Sequence, residues 1–264
     1  MTKVKDVFEY LNSIAPTALK MDFDNVGLLV GGEDNDVSKV LVALDITDEV
    51  IDEAISYGAE LIVSHHPIIF EPVKEVLCSD LVGRKLVKLI KNDISAICMH
   101  TNLDIAEGGV NDALMTALGG VSGAYLEFTG VDSNGEKQGC GRVGELECEM
   151  TMPEFLEKCK TALNSNGLRY YDAGIKVKKL AVMGGSGGSE VELAKAAGCD
   201  TYVTSDIKYN NFLDAKELGI NLIDADHFCT ENVIIPVLCD KLTAQFTECE
   251  IKISERHCQT ARFF

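Results

Sequence analysis

Residues 61–70 read LIVSHHPIIF, an apolar run that ends in two adjacent histidines and a proline. The apolar part predicts a buried β-strand, and Pro67 stops the hydrogen-bonded ladder from continuing. Successive side chains of an extended segment point to opposite sides, so His65 and His66 are expected to play different roles. Open α/β sheets bind their ligands at the carboxyl ends of strands, so the pair predicts a binding site. The alternative is a strand end with two solvated imidazoles.

A β-α-β unit surrounds this strand. Residues 40–44 predict a buried strand, and Thr47 begins a helix with acidic residues in its first turn. After the His-His strand, residues 79–92 repeat the helical pattern, and residues 94–99 predict a further strand that leads into His100. Strands that alternate with helices predict the α/β (α+β) class.

The second half of the chain repeats this pattern. Residues 180–183 predict a strand, Ser189 and Glu192 predict a capping box that begins a helix, and residues 201–204 predict another strand. The same order of strand, helix and strand occupies residues 40–64. We therefore predict an internal duplication of a β-α-β-containing repeat.

The two repeats also share a histidine motif. Asp104 follows His100 by four residues, and Glu231 follows His227 by four residues, each time after a predicted strand. We interpret the two His-x-x-x-carboxylate motifs as counterparts. The predicted boundaries are residues 1–120 for the first repeat, 121–178 for a connecting subdomain and 179–264 for the second repeat.

Imidazole and carboxylate side chains at strand ends predict a metal site. This mixture of ligands suits zinc, iron, manganese or cobalt. There are more candidates than one catalytic metal usually takes, which favours two divalent cations close together. The alternative is that His100 and His227 are satisfied core histidines and the acids are helix caps. The candidate ligands are His65, His66, Asp104, His227 and Glu231.

Charge and cysteine usage narrow the function classes. The formal net charge is −18, and so acidic a surface repels phosphate backbones and anionic lipid. We therefore expect no nucleic-acid partner and no membrane. No signal peptide is expected, since the first residues lead into no apolar run. The ten cysteines are scattered without a C-x-x-C pair, which predicts reduced thiols in the cytoplasm that do not bind the metals.

Two glycine-rich turns lie near the candidate ligands. Residues 184–188 read GGSGG between a predicted strand and a predicted helix. Such a turn can cradle phosphate, but this one matches neither the P-loop nor the dinucleotide fingerprint. A tight strand-to-helix turn is the expected structure, with phosphate binding as the alternative. Gly108 and Gly109 follow Asp104 closely and are expected to form part of the wall of the site.

These motifs together resemble the NIF-three-like family, whose members are also called dinuclear metal-centre hexameric proteins and GTP cyclohydrolase I type 2 homologues. The resemblance spans nearly the whole chain. The motifs that carry it are Ser64-His65-His66-Pro67, residues 100–104 (HTNLD) with 108–112 (GGVND), Gly185-Ser186-Gly187, and His227 with Glu231.

The resemblance implies two intertwined α/β repeats and a ring-shaped homo-hexamer with metal pairs facing an inner cavity. It also implies that the five candidate ligands named above hold two divalent metal ions per subunit, and that His100 lines the site. Its cyclohydrolase members imply attack on the imidazole carbon of a guanine ring.

Two departures from the family pattern concern the surroundings of the site. Thr204-Ser205-Asp206 and Tyr209-Asn210 stand where relatives usually have Thr-Gly-Asp and Tyr-His, which removes an imidazole. Asp226 stands before His227 where a glycine is common, and adds an acid beside a ligand. The five ligands are unaffected, so the metal site is retained, whereas the substrate is less well defined.

The function predicted on this basis is a cytoplasmic, dinuclear metal-dependent hydrolase. It would act on a nucleotide or related small heterocycle through metal-activated water, with His100 as a proton shuttle. The alternative from another class is a non-enzymatic metal-binding scaffold or regulatory protein, in which the ring and its cations serve assembly.

Overall fold

The computed structural model describes residues 1–131, 135 and 137–264. The chain forms two compact units. Unit 1 comprises Met1–Ala106 and Ile235–Cys258, and unit 2 comprises Glu107–Ile234 and Gln259–Phe264. Within the described residues, no helix has the length and apolar character needed to cross a bilayer.

Helices and strands alternate along most of the chain. The helices are α1 (Val4–Ile14), α2 (Asp48–Tyr57), α3 (Leu81–Lys91), α4 (Thr101–Ile105), α5 (Val110–Ala117), α6 (Met152–Ala162), α7 (Val191–Ala196), α8 (Tyr209–Leu218), α9 (His227–Glu231) and α10 (Ile234–Gln245). The strands are β1 (Gly27–Val30), β2 (Lys39–Ala43), β3 (Leu61–Ser64), β4 (Ser95–Cys98), β5 (Gly120–Val131), β6 (Lys137–Met150), β7 (Arg169–Tyr171), β8 (Val177–Val182), β9 (Thr201–Thr204), β10 (Asn221–Asp224) and β11 (Glu250–Ile253).

The sheet of unit 1 has the strand order β1-β4-β3-β2-β11. Strands β4, β3, β2 and β11 run parallel, whereas β1 is antiparallel to β4. The predicted His-His strand is β3, at the centre of the sheet, and each of its four residues is buried. Such burial on both faces is usual for parallel strands, which explains why the sequence here is continuously apolar.

The sheet of unit 2 has the order β5-β6-β8-β9-β10-β7. Strands β8, β9 and β10 are parallel, while β6 and β7 flank them in antiparallel orientation. The long strands β5 and β6 pair with each other along most of their length. Its core includes Leu114, Phe155 and Leu180, which are fully buried.

These units differ from the predicted boundaries at residues 1–120, 121–178 and 179–264. Strands β5, β6 and β7 do not build a separate connecting subdomain, because they hydrogen-bond into the same sheet as β8, β9 and β10. Strand β11, from the end of the second repeat, pairs with β2 in unit 1. The predicted α/β class with β-α-β-containing repeats is confirmed, since each sheet contains three parallel strands joined by helices.

Of two helix starts predicted from capping residues, one is confirmed and the other is wrong. Thr47 caps α2, its side-chain oxygen accepting a hydrogen bond of 3.2 Å from the Val50 amide, as expected. The predicted capping box of Ser189 and Glu192 is wrong. Ser189 lies in a 3-10 turn (Gly188–Glu190), and its hydroxyl donates to Glu190, so that α7 begins only at Val191.

Candidate metal centre

Three histidines meet at the carboxyl ends of two adjacent strands of unit 1. His65 and His66 follow β3, and His100 follows its parallel neighbour β4. One ring nitrogen of each lies within 4.8 Å of those of the other two. The parallel pairing of β3 and β4 therefore brings histidines that are distant along the chain into one cluster of imidazoles able to bind a metal.

The orientation of His65 is set by the main chain. Its Nδ1 lies 2.8 Å from the carbonyl oxygen of Met99, and the ring is completely buried. A carbonyl oxygen can only accept, so Nδ1 carries a proton, and in the neutral ring Nε2 carries the lone pair. That Nε2 lies 3.7 Å from Oδ1 of Asp104, which α4 places beside it.

His66 and His100 are oriented in the same way by carboxylates. Nδ1 of His66 lies 2.8 Å from Oδ1 of Asp45, and Nδ1 of His100 lies 2.7 Å from Oδ1 of Asp24. Burial raises the pKa of Asp24, but hydrogen bonds from His100 and Thr101 outweigh it and hold that pKa well below its usual range. All three rings thus bind an acceptor through Nδ1, as metal-ligating histidines commonly do.

A fourth histidine has a similar arrangement in unit 2. His227 and Glu231 lie one turn apart on α9, and Nε2 of His227 is 3.1 Å from Oε2 of Glu231. Nδ1 of His227 lies 2.8 Å from Oδ2 of Asp206. Burial alone lowers the pKa of His227, but hydrogen bonding and charge from Glu231 and Asp206 outweigh it and raise the pKa to about 9.

The donor sets of both units fit divalent cations. Imidazole Nε2 atoms on rings held by Nδ1 hydrogen bonds, together with carboxylate oxygens, are the ligands expected for zinc, iron, manganese or cobalt. In unit 1 these donors are His65, His66, His100 and Asp104, and in unit 2 they are His227 and Glu231.

Asp24, Asp45 and Asp206 were not predicted to take part. Asp45 follows β2, the neighbour of β3, so the rule that identified the histidines could have identified it. Asp24 is 76 residues from His100 and lies before β1, and no local pattern pointed to it.

The two His-x-x-x-carboxylate motifs are not counterparts, contrary to the prediction. Ser64 pairs with Cys98 between β3 and β4, and Thr204 pairs with Asp224 between β9 and β10. Two residues beyond each pair, His100 and Asp226 occupy the N-cap positions of α4 and α9. His227 therefore corresponds to the residue after His100, and the motifs are offset by one position.

The glycine-rich turn of unit 2 packs against the α9 pair. Gly185 has a φ of +66°, and a Cβ built there would lie 2.2 Å from Oε1 of Glu231. Only glycine combines this left-handed conformation with so close an approach.

Three amides of this turn are already engaged. The N–H groups of Gly184, Gly185 and Gly187 donate to side-chain oxygens of Asn111, Thr230 and Thr204, respectively. These amides are therefore not available to a phosphate, and the turn is the tight strand-to-helix connection that the sequence favours.

Comparison with known proteins identifies the family. The family model Duf34/NIF3 (NGG1p interacting factor 3) matches residues 2–260. This chain belongs to the DUF34/NIF3 family. The predicted resemblance is thereby confirmed over nearly the whole chain.

Relatives in this family support the assignment. A Clostridium perfringens protein named GTP cyclohydrolase 1 type 2 homolog is 41% identical over 91% of this chain and 91% of its own length. The crystal structure of a Bacillus cereus protein related to NIF3 matches with a TM-score of 0.93 and 28% identity, covering 100% of this chain and 99% of that one. A Staphylococcus aureus hypothetical protein matches with a TM-score of 0.90 and 30% identity, covering 99% of each chain.

Asp226, which departs from the family pattern, and Asp206, which matches it, both have structural roles here. Asp226 has a φ of +73° and caps α9, its Oδ1 accepting a hydrogen bond of 3.2 Å from the Cys229 amide. Asp206, also left-handed with a φ of +52°, orients His227. The acid at position 226 thus begins the helix that carries both donors of unit 2.

Cys98, the last residue of β4, contacts the histidine cluster through a hydrogen bond. Its Sγ donates to the carbonyl oxygen of His65 over 2.9 Å. Burial raises the pKa of this thiol well above its usual value, so it stays protonated at neutral pH.

Proposed function

We propose that this protein is a metal-dependent hydrolase that acts on a nucleotide or related small heterocycle. The observation that carries the proposal is the shared orientation of its histidines. His65, His66 and His100 each engage an acceptor through Nδ1, and their ring nitrogens converge within 4.8 Å. Solvated or merely packed imidazoles have no reason to share this arrangement.

The ligands proposed are those predicted from the sequence. His65, His66, Asp104, His227 and Glu231 would hold two divalent cations per subunit. When bound, the cations would polarise the substrate and lower the pKa of a coordinated water. Asp45 and Asp206 would keep the rings of His66 and His227 in the orientation and tautomer that ligation requires.

His100 is proposed to move the proton. Its side chain is 17% exposed, compared with 0% for His65, so solvent reaches the His100 side chain and not that of His65. Asp24 accepts from its Nδ1 and would stabilise the imidazolium that forms after proton uptake. The variant His100→Ala distinguishes a proton shuttle from a metal ligand. If His100 is a shuttle, the variant would turn over more slowly and keep its metal. If His100 is a ligand, the variant would lose metal.

The substrate class rests on relatives. The Clostridium perfringens protein, at 41% identity, is named a GTP cyclohydrolase 1 type 2 homolog. A hydrolytic attack on a ring carbon would use the same chemistry on any related heterocycle, so the proposal names the class and not GTP alone.

A turnover screen tests the activity. The metal-loaded protein would be incubated with nucleotides, phosphoesters and cyclic amides, and each product compared with that of the metal-free protein. Hydrolysis of a nucleotide or cyclic amide above the metal-free control supports the proposal. No turnover in any class would favour a non-enzymatic metal-binding scaffold or regulatory protein.

We further propose a homo-hexamer with a dinuclear centre in the cytoplasm, which rests on the family resemblance. Native mass spectrometry at micromolar concentration measures the assembly, and a monomer alone would contradict it. Electron paramagnetic resonance of the Mn²⁺-loaded protein tests the pairing of cations. Exchange coupling between two ions supports a dinuclear centre, whereas two isolated ions would contradict it.

A further inference from the structure

An exposed aromatic pair lies beside the histidine cluster of unit 1. Phe23 and Phe70 form an edge contact, with ring centroids 6.3 Å apart and planes at 63°. Phe70 in turn meets His100 edge-on, with centroids 6.1 Å apart. The phenylalanine rings therefore lead from the solvent to the imidazole proposed to move the proton.

Both phenylalanines have a large exposed fraction, although an apolar side chain is normally more stable when it is buried. Phe23 is 64% exposed and Phe70 is 43% exposed. Exposed aromatic side chains next to a functional cluster mark a binding surface more often than a structural one. We call Phe23, Phe70 and His100 the aromatic face.

The backbone on both sides of the aromatic face is fixed. Asp24, next to Phe23, accepts hydrogen bonds from the His100 ring and from the Thr101 amide at 2.7 and 3.0 Å. Asn25 donates its side-chain amide to the carbonyl oxygen of Ile69 over 2.6 Å.

Each exposed ring therefore adjoins an anchored residue. On the loop that follows β3 and carries Phe70, Ile68 is only 8% exposed and packs into the core of unit 1. The rings are held in place by their neighbours, although they bury little of their own surface. Such preorganisation lowers the entropy lost when a ligand binds.

We propose that the aromatic face stacks the planar ring of the substrate and thereby positions it at His100. The occupant is a purine or related fused heterocycle, because such a ring offers a flat π-surface to Phe23 and polar edges toward His100. This inference deepens the proposed hydrolase function and rests on it for the identity of the ligand.

Stacking also suits the charge of the protein. With a formal net charge of −18, the surface offers little general attraction to a nucleotide phosphate. Recognition through the base, which is uncharged at neutral pH, avoids that repulsion. The aromatic face thus selects for the ring, while phosphate contributes less to binding.

Binding of 2-aminopurine riboside to the metal-free native chain tests whether the aromatic face stacks a purine. No catalytic turnover is needed for this measurement. Stacking quenches the fluorescence of this nucleoside, and Phe70→Ala is expected to raise its dissociation constant about tenfold. Phe70→Tyr retains a ring and should bind nearly as the native chain does. Phe128→Ala is the matched control, since Phe128 is 62% exposed on β5 of unit 2. Equal binding by Phe70→Ala and the native chain would overturn the inference.

A single-tryptophan chain gives a second measurement. The sequence contains no tryptophan, so Phe23→Trp introduces one reporter and Phe128→Trp provides its control. Guanosine should quench the first and not the second, and ribose 5-phosphate should quench neither. Equal quenching at both positions, or quenching by ribose 5-phosphate, would overturn the inference.

The outcomes separate the two proposals. Purine stacking without turnover in the hydrolysis screen would support the aromatic face and reject the hydrolase. Metal-dependent hydrolysis that Phe70→Ala leaves unchanged in KM would support the hydrolase and reject the face.

Discussion

Nδ1 of His65 donates a hydrogen bond of 2.8 Å to the carbonyl oxygen of Met99. Met99 directly follows β4, so the strand that leads to His100 also fixes the tautomer of His65. The consequence is that the neutral ring of His65 carries its lone pair on Nε2, next to Asp104.

His65→Gln should lose most of the bound divalent cation, because an amide is a weaker ligand than a neutral imidazole Nε2. Elemental analysis after dialysis measures the loss. His257→Gln is the control, since His257 belongs to none of the imidazole or carboxylate groups of the described residues that could hold a metal. Retention of metal by His65→Gln would contradict its role.

Asp45→Asn should weaken metal binding about tenfold, because loss of its charge makes the His66 ring a poorer ligand. Asp48→Asn changes a carboxylate three residues away that binds the Arg84 side chain at the surface, and it should have no effect. Competition with a chromophoric chelator gives the affinities. Equal affinities for the two variants would show that the Asp45–His66 contact is incidental.

Glu231→Ala and Asp104→Ala should differ in metal stoichiometry. We expect Glu231, with its longer side chain, to bridge both cations and so offset their mutual repulsion, whereas Asp104 completes the site of one. The first variant should therefore lose both cations and the second mainly one. Elemental analysis of each decides this, and identical losses would rule out the bridge.

Gly185→Ala should reduce metal content as well as stability. A Cβ there meets Oε1 of Glu231 at 2.2 Å, and the left-handed backbone costs about 1 kcal/mol for any L-residue. Gly219→Ala has the matched backbone, with a φ of +62°, but its Cβ would have no neighbour within 4 Å. The control should lose similar stability in urea denaturation and keep its metal. Metal loss by both variants would point to general unfolding.

Asp112→Asn should destabilise the protein most at neutral pH. Arg142 is 3% exposed, and its Nε and Nη2 donate to the two Asp112 oxygens at 2.9 Å each, so loss of the charge leaves a buried cation and costs about 2 kcal/mol. Burial raises the pKa of Asp112, but Arg142 outweighs it and holds that pKa below its usual value.

The pH dependence of that cost has a definite sign. Since the folded pKa is depressed, the stabilisation by Asp112 is present above the unfolded pKa and is lost as pH falls through the folded value. The difference in free energy of unfolding between Asp112→Asn and the native chain should therefore shrink as pH falls below the pKa of an unfolded aspartate, about 4. Urea denaturation across this range measures it, and a constant difference would contradict the assignment.

Much of the site could be predicted because its histidines lie where a local sequence pattern, an apolar strand, comes to an end. His65, His66 and His100 end apolar strands, and parallel neighbours bring such ends to one edge. Asp24 could not be predicted, because its contact with His100 depends on the antiparallel pairing of β1 with β4. The offset of His227 by one residue was missed because strand register is invisible in sequence spacing.

For the fold, too, local features could be predicted and long-range pairings could not. Alternating strands and helices predicted the class, whereas the pairing of β11 with β2 joins residues about two hundred positions apart and leaves no trace in either segment. The unit boundaries follow from that pairing and so were not predictable.

The position of β11 also sets the order in which the chain can fold as it is made. Most of unit 2 is a continuous stretch, Glu107–Ile234, whereas the sheet of unit 1 is incomplete until residues 250–253 leave the ribosome. Until then the outer edge of β2 presents unpaired main-chain groups, the kind of surface on which nascent chains aggregate. Unit 1, which contains three of the histidines side by side, is therefore begun first but completes its sheet only after every strand of unit 2 has been made, and its incomplete form is the one exposed to aggregation.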